Sequence, residues 1–475
     1  MADKLADALP LFSNSDIDWA SDLLVLHDVS EKKLKKIAPQ DFSAVYLVRP
    51  PVETDDADSA EINRANIQAQ IDAANTAGGG RVVLQAGTYY VTDQTGASAI
   101  GYALEMKDNV HLMGQGIGST ILKVLTSETR PISVVENETS IDNAEISHLE
   151  IDGSKSRVAS TEWGVLEHEG IDLKTPTNCH IHHVYVHDCG TDAIDLDSPT
   201  YCSVTNCRVE DNGGCGVHGS GSDCLVTNII SSGNSYYRLQ STAASVRLAA
   251  GSISFTGDRH VISNIVSVED ERGVVLTSAN RCLVSNISVR HPGAGSNITS
   301  TTEVDPVTEN FDTSNVASGG TAPVGGGCGV FLRSSLQCTV SNVNAHMRGL
   351  LDAFGLTIQG NTSLRNIVTG VQVAAGNGIY LNGVGQTNMS ACVVQAGANV
   401  YNYQVSNNVD PITITGCLSN QGIGGFRCLN TAEDVTFSGC SAYNSTGDGF
   451  SAIGFSGETV DNIAYINWIV TGKHC

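Results

Sequence analysis

What this chain lacks narrows it first. It has no run of about 18 apolar residues, the length a membrane-spanning helix needs. Aromatic residues make up only 5 % of it, which suits a narrow interior rather than one bulky core. Basic residues are scarce: 26 Lys and Arg stand against 50 Asp and Glu, a formal net charge of −24 at pH 7. A surface of that sign repels nucleic acid and anionic membrane, so neither is an expected partner. The opening MADKLADALPLFSNSDIDWA has acids where a secretory signal peptide has a basic end and an apolar core. The expectation is synthesis in a cytosol without a signal peptide, and export only as part of a particle. No C-x-x-C pair occurs among the 14 cysteines, which argues against a thiolate metal site, and no metal site is assigned.

What is present is repetition. From about residue 142 to about residue 470 one phrase returns roughly every 22–25 residues. The copies are NCHIHHVYV from Asn178, YCSVTNCRV from Tyr201, DCLVTNIIS from Asp223, RHVISNIVS from Arg259, RCLVSNISV from Arg281 and QCTVSNVNA from Gln337. Weaker copies begin at Thr362, Gln386, Asp410 and Glu433. Each holds a short alternating strand, a polar turn residue, a second strand and a Gly/Asp/Asn-rich turn. Such a unit is too short for a helical repeat and too strand-rich for a leucine-rich one. It fits one rung of a parallel β-helix, in which stacking alone closes the core. The 49 glycines suit the many tight turns this requires. The expected fold is all-β: a right-handed, single-stranded parallel β-helix with an N-terminal capping helix and a small N-terminal attachment segment.

Two columns run through the copies. Cys179, Cys202, Cys224, Cys282 and Cys338 share one slot, with His260 replacing one of them. Rungs about 4.8 Å apart make this an inward ladder of small apolar thiols. His183, Asn206, Asn228, Asn264, Asn286, Asn342 and Asn366 form a second column, read as an asparagine ladder at a turn.

Four regions follow. Residues 1–45 stand apart, and DLLVLHDVSEKKLKKIAPQDF from Asp22 to Phe42 reads as strand, turn, basic strand and closing turn. This segment resembles the small attachment modules at the N-termini of bacteriophage tail and spike proteins. Residues 46–141 hold a capping helix and the first rungs; the helix has an apolar stripe at Ile67, Ile71 and Ala74 and is ended by Gly78, Gly79 and Gly80. The helix is expected to plug the open end of the stack. Residues 142–459 are the stack, with long connections at 231–252 and 291–327, and residues 460–475 cap the far end. The run from Asp56 to Val91, followed by ALEMKDNVHLMGQGIGSTILKV, resembles the opening of pectate-lyase-superfamily β-helices, including phage tailspikes and mannuronan C-5 epimerases. Gly114, Gly116 and Gly118 are turn residues, since Ser119 breaks a nucleotide-loop spacing.

The chemistry is sought where the opening strands align: GIDLK from Gly170, AIDLD from Ala193, GVHGS from Gly216 and SISFT from Ser252. Alternation points Ile171, Leu173, Ile194, Leu196, Val217, Ile253 and Phe255 inward. The outward columns are then Asp172, Asp195, His218, Ser254 and Lys174, Asp197, Ser220, Thr256. Stacked like charges cost stability unless a shared proton, a cation or a substrate relieves them. Asp172 and Asp195 are therefore the candidate catalytic pair, as glycoside cleavage needs two carboxyls. Cleavage of a uronic-acid chain needs instead a base and a cation, for which His218, Lys174 or Arg238 can serve. The competing reading is a solvated polar ladder in which Lys174 pairs with Asp197.

Two family motifs bear on this rung. GTDAIDLDSP followed by GCGVHGSG resembles polygalacturonase motifs, which implies Asp192 as a site carboxylate and His218 as the site histidine. That family's Asp-Asp rung and Arg-Ile-Lys motif are missing. In mannuronan epimerases the rung reads Tyr-Gly-Phe-Asp-Pro-His: Asp195 matches the aspartate, Asp197 stands in the histidine's place and the tyrosine has no match. The expectation is a phage-type tail spike, a homotrimer in the virion tail, that binds and depolymerises a bacterial surface polysaccharide. Asp172, Asp195 and Asp192 would be catalytic, and Lys174, Asp197, His218, Tyr236, Tyr237 and Arg238 would bind substrate. No cofactor is needed, although a divalent cation such as calcium suits the acids. Tail or baseplate proteins would be met through residues 1–45. The alternatives are a free polysaccharide hydrolase, lyase or epimerase, and a non-catalytic structural virion protein.

Overall fold

The computed structural model describes residues 44–93, 101–128, 131–154, 168–234, 251–270, 272–291, 328–347 and, with short breaks, 354–453. It also describes the strands Leu24–Asp28, Lys33–Ile37, Ala464–Ile466 and Ile469–Gly472. Leu24–Asp28 and Lys33–Ile37 pair antiparallel, the hairpin expected from strand, turn and basic strand.

Helix α1 spans Ala57–Thr76. It starts where Asp56 accepts the Ser59 N–H at 2.8 Å, satisfying a backbone donor that the first turn leaves open. It ends into Gly78, whose φ of +90° is one that residues with a Cβ rarely adopt. Ile67, Ile71 and Ala74 are fully buried against the first strands of the stack, as their spacing predicts.

Beyond the helix the chain winds as a parallel β-helix. One wall is a 13-stranded sheet running from Gly101–Glu105 to Phe450–Ile453, with every pairing parallel. The predicted register holds. Ile171, Ile194, Val217 and Ile253 stack in one column, and Asp172, Asp195, His218 and Ser254 in the next. The inward set is fully buried. Gly219 stands in the slot of Leu196, and the Phe255 ring of the next rung fills the space it leaves. A Cβ on Gly219 would lie 2.5 Å from that ring.

The other strands bend as they pass. Glu145–Asp152 pairs with His180–His187 on both sides of a bend at His148 and His183. Corners recur at residues with left-handed backbone: Thr175, Asn178, His183 and Asp188 in one rung, Ser198, Tyr201, Asn206 and Asp211 in the next. Asparagine tolerates that conformation best among residues with side chains. The ladder there is real: Asn228 Nδ2 donates to Asn206 Oδ1 at 2.9 Å, Asn286 to Asn264 at 3.1 Å and Asn342 to Asn286 at 3.2 Å.

Asn366 is a correction. The register puts Gly370 after Asn342 in that column and Asn366 after Cys338. There it is buried, and its Oδ1 accepts the Cys338 N–H at 3.0 Å. The cysteine column itself lies inside, with Cys179, Cys202, Cys224, Cys282 and Cys338 buried and reduced. A further buried ladder had no sequence signal: Cys189, Asn212 and Asn234 each donate a backbone N–H to Asn212, Asn234 and Asp270 in turn. Among the described residues no helix is long and apolar enough to cross a membrane.

Candidate functional site

The outward column of the flat wall is more acidic than the repeat alone reveals. Register places Glu105 beside Glu136, Glu136 beside Asp172, and Asp172 beside Asp195. Four carboxylates thus stack on successive rungs, followed by His218 and Ser254. Lys174 reaches into this row. Its Nζ lies 2.6 Å from Glu136 Oε1 and 3.7 Å from Asp172 Oδ2. The cation therefore sits within one column of acids, not simply across from Asp197, its stacked neighbour. Asn137 fixes the Lys174 backbone, accepting its N–H at 2.8 Å and donating to its carbonyl at 2.9 Å.

Asp172 is nearly closed off, with its side chain 6 % exposed. Asp195 is more open, at 17 %, and its Oδ1 lies 2.8 Å from His218 Nδ1. Its neighbour Asp192 is completely buried. One Asp192 oxygen accepts the Cys215 N–H in a short bond, and the other lies 3.8 Å from His218 Nδ1. Gly214 makes room for this carboxylate, since a Cβ there would stand 2.1 Å from Asp192 Oδ1. Asp192 is therefore placed behind the row, where it faces the histidine rather than solvent. Asp197 is exposed at the strand end. Asp192, Asp195 and His218 are close enough to share one metal ion. The structure thus brings Asp172, Asp195, Asp192, Lys174 and His218 together. Tyr236, Tyr237 and Arg238 lie outside the described residues.

Glu136, Asn137 and Glu105 were missed in the sequence. Their strands precede the repeated phrase, and a connection longer than an ordinary rung separates Glu136 from Asp172. The signal that could have found them is the alternation in PISVVE and GYALE, each ending on an acid at the outward position.

No protein-family model matches the chain. Over 107 residues it is 41 % identical to mannuronan C5-epimerase AlgE1 of Azotobacter vinelandii, a stretch covering 22 % of this chain and 7 % of that enzyme. The chain thus matches only a small part of the length of such relatives. The N-terminal fragment of gene product 12 of bacteriophage Phi29 superposes with a TM-score of 0.58 at 14 % identity, over 89 % of this chain and 71 % of that one. A tailspike mutant of E. coli bacteriophage HK620, solved in complex with a pentasaccharide, superposes with a TM-score of 0.53 at 13 % identity, over 97 % and 84 %. The chain accordingly has the pectate-lyase-like parallel β-helix fold. Its fold is similar to that of a phage tailspike along most of the chain, and its sequence to that of a mannuronan epimerase over a shorter stretch.

Proposed function

We propose that the chain is a phage-type tail spike that binds a bacterial surface polysaccharide and depolymerises it. The row Glu136, Asp172, Asp195 and His218 carries this reading, with Lys174 folded into it. Neighbouring strands lie about 4.8 Å apart, which suits carboxyl groups roughly 5–5.5 Å apart, the spacing of retaining glycosidases. Asp195, the more open acid, attacks or activates. Asp172, its stacked neighbour, is the second carboxyl that such cleavage needs. Asp192 positions His218, and Lys174, Asp197, His218, Tyr236, Tyr237 and Arg238 hold the sugar. A divalent cation such as calcium suits the same acids when the sugar is itself anionic.

The antiparallel pair Leu24–Asp28 and Lys33–Ile37 supports a separate attachment segment over residues 1–45, docking to tail or baseplate proteins. Residues 46–141 then supply the capping helix and the first rungs, 142–459 the rest of the β-helix, and 460–475 the far cap. A homotrimer packed along the sides of the stack suits the apolar outer column Leu225, Val261 and Leu283, each more than a third exposed.

The decisive experiment digests candidate capsules and exopolysaccharides and follows both reducing ends and unsaturated-uronate absorbance. Reducing ends alone mean hydrolysis, and both signals mean elimination. No cleavage of any polysaccharide that the chain binds would leave a purely adhesive spike. A second reading, a free enzyme acting on uronate chains, is favoured by the stretch shared with the epimerase. Detecting the chain in purified phage particles rejects it.

A further inference from the structure

A second cluster lies on the bent wall, away from the acid row. His148, His182 and His183 each offer a ring nitrogen, and the three nitrogens lie within 4.8 Å of one another. His182 Nδ1 is 2.9 Å from His183 Nδ1. The His148 and His183 rings stack at 4.8 Å, and His182 meets His148 edge-on at 5.3 Å. Behind His182, its Nε2 lies 3.1 Å from Glu145 Oε1, and His111 approaches the other oxygen of that carboxylate at 3.7 Å.

Two features set this cluster apart from a chance run of histidines. First, His148 Nδ1 is buried without a hydrogen-bond partner, a cost that a ligand at that atom would remove. Second, two of these rings stand in the corner column. Register puts His148 and His183 in the slot that Asn206, Asn228, Asn264, Asn286 and Asn342 fill in later rungs. All seven have the same left-handed backbone. Asparagine already satisfies that corner, so histidine in two successive rungs adds something that the turn does not require.

The chemistry follows from the tautomers. In the tautomer that donates Nε2–H to Glu145, His182 presents a bare Nδ1. Facing that nitrogen, His183 Nδ1 carries the proton between them. For a metal ion to bind there, His183 changes tautomer: its proton leaves Nδ1 and Nε2 takes one up from solvent, which leaves Nδ1 bare to ligate. The carboxylate behind His182 is the outer partner that orients metal-bound imidazoles. Zinc–nitrogen bonds of about 2.0–2.1 Å set ligand nitrogens roughly 3.3 Å apart in a tetrahedron, so the pair at 2.9 Å opens only slightly.

We propose that His148, His182 and His183 bind one divalent zinc-type ion, oriented by Glu145, and that the ion clips two successive rungs at their shared corner. The fourth position is left to water.

The test uses the full chain, freed of metal and dialysed against zinc. One zinc per chain is expected, together with a rise in the thermal midpoint and, with cobalt(II), the intense visible bands of a four-coordinate ion. His148→Asn and His183→Asn restore the residue that later rungs carry, so circular dichroism should be unchanged while zinc binding is lost. Glu145→Gln should weaken it by about tenfold or more. X-ray absorption on the zinc-loaded native chain needs no variant and should show imidazole ligands without sulfur. Failure of the native chain to hold zinc overturns the proposal. So does a sulfur shell, or zinc that survives His148→Asn but leaves with Asp195→Asn.

Discussion

Asp172 and Asp195 face one another because two periods coincide. Alternation turns both side chains outward, and the rung length stacks them. Asp195→Asn preserves shape and removes the charge. On the proposed function it should leave the fold intact and lower any depolymerase rate by about 100-fold or more, measured as reducing ends released. Full activity in both Asp195→Asn and Asp172→Asn would remove the pair from the mechanism. The pair was legible in the sequence, since the repeat supplies the register without a structure. The depth of Asp192 was not, because nothing in GTDAIDLD says that its carboxylate turns back onto the Cys215 N–H. The same is true of His187, whose partners come from other rungs and from its own corner. Burial opposes its charge, but the hydrogen bonds it donates to Asp188 and Glu150 outweigh this and, with the charge of Asp152, push it up to about 9. An unfolded histidine titrates near about 6.5, so the folded state holds the proton more tightly. This stabilisation is complete below about pH 6.5 and is lost as the pH rises to about 9. Native protein should therefore lose more thermal stability than His187→Gln between those pH values. Parallel curves would show that the ring contributes nothing.

At the scale of the strand, packing is decided between rungs. The Phe255 ring occupies the space above Gly219, so a methyl group there must displace it. Gly219→Ala should cost about 1–3 kcal/mol through overpacking, read as a lower denaturant midpoint with an unchanged slope. An unaltered midpoint would mean that the ring has room to move. Here too the sequence reveals half. GVHGS aligns with AIDLD, so the inward slot is plain, but that Phe255 reaches down to fill it depends on a neighbour far along the chain. Asn366 shows the opposite failure. TSLRN looks like the ending of VSN in the earlier copies, yet hydrogen bonding seats it in the cysteine slot, where a buried amide can hold the Cys338 backbone. A short polar phrase does not distinguish two corners of the same rung. The outward acids of Gly101–Glu105 and Ile132–Glu136 were missed for another reason, because a connection longer than an ordinary rung separates them from the later copies.

The whole molecule presents one acidic wall and, on another side, the apolar column of Leu225, Val261 and Leu283. If that column is where copies meet, light scattering at micromolar concentration should give a trimer. Val261→Asp should then yield monomers with native circular dichroism. A monomeric native chain, with no trimer in particles, would reject this assembly. That the stack is a β-helix was fully legible, since the period needs no tertiary information. How copies would associate was not, because exposed valines and leucines occur inside each strand pattern and only the register gathers them. The parallel register also determines how the molecule carries load. Its hydrogen bonds between rungs point along the axis of winding, like mortar between courses of brick. A push along that axis presses backbone onto backbone and is borne by every course together. A pull on the ends loads only the outermost course, which should peel off before the next is strained. In an optical trap the force trace should therefore be a low saw-tooth. Each tooth should release one winding of about 22 residues, roughly 75 Å of extended chain.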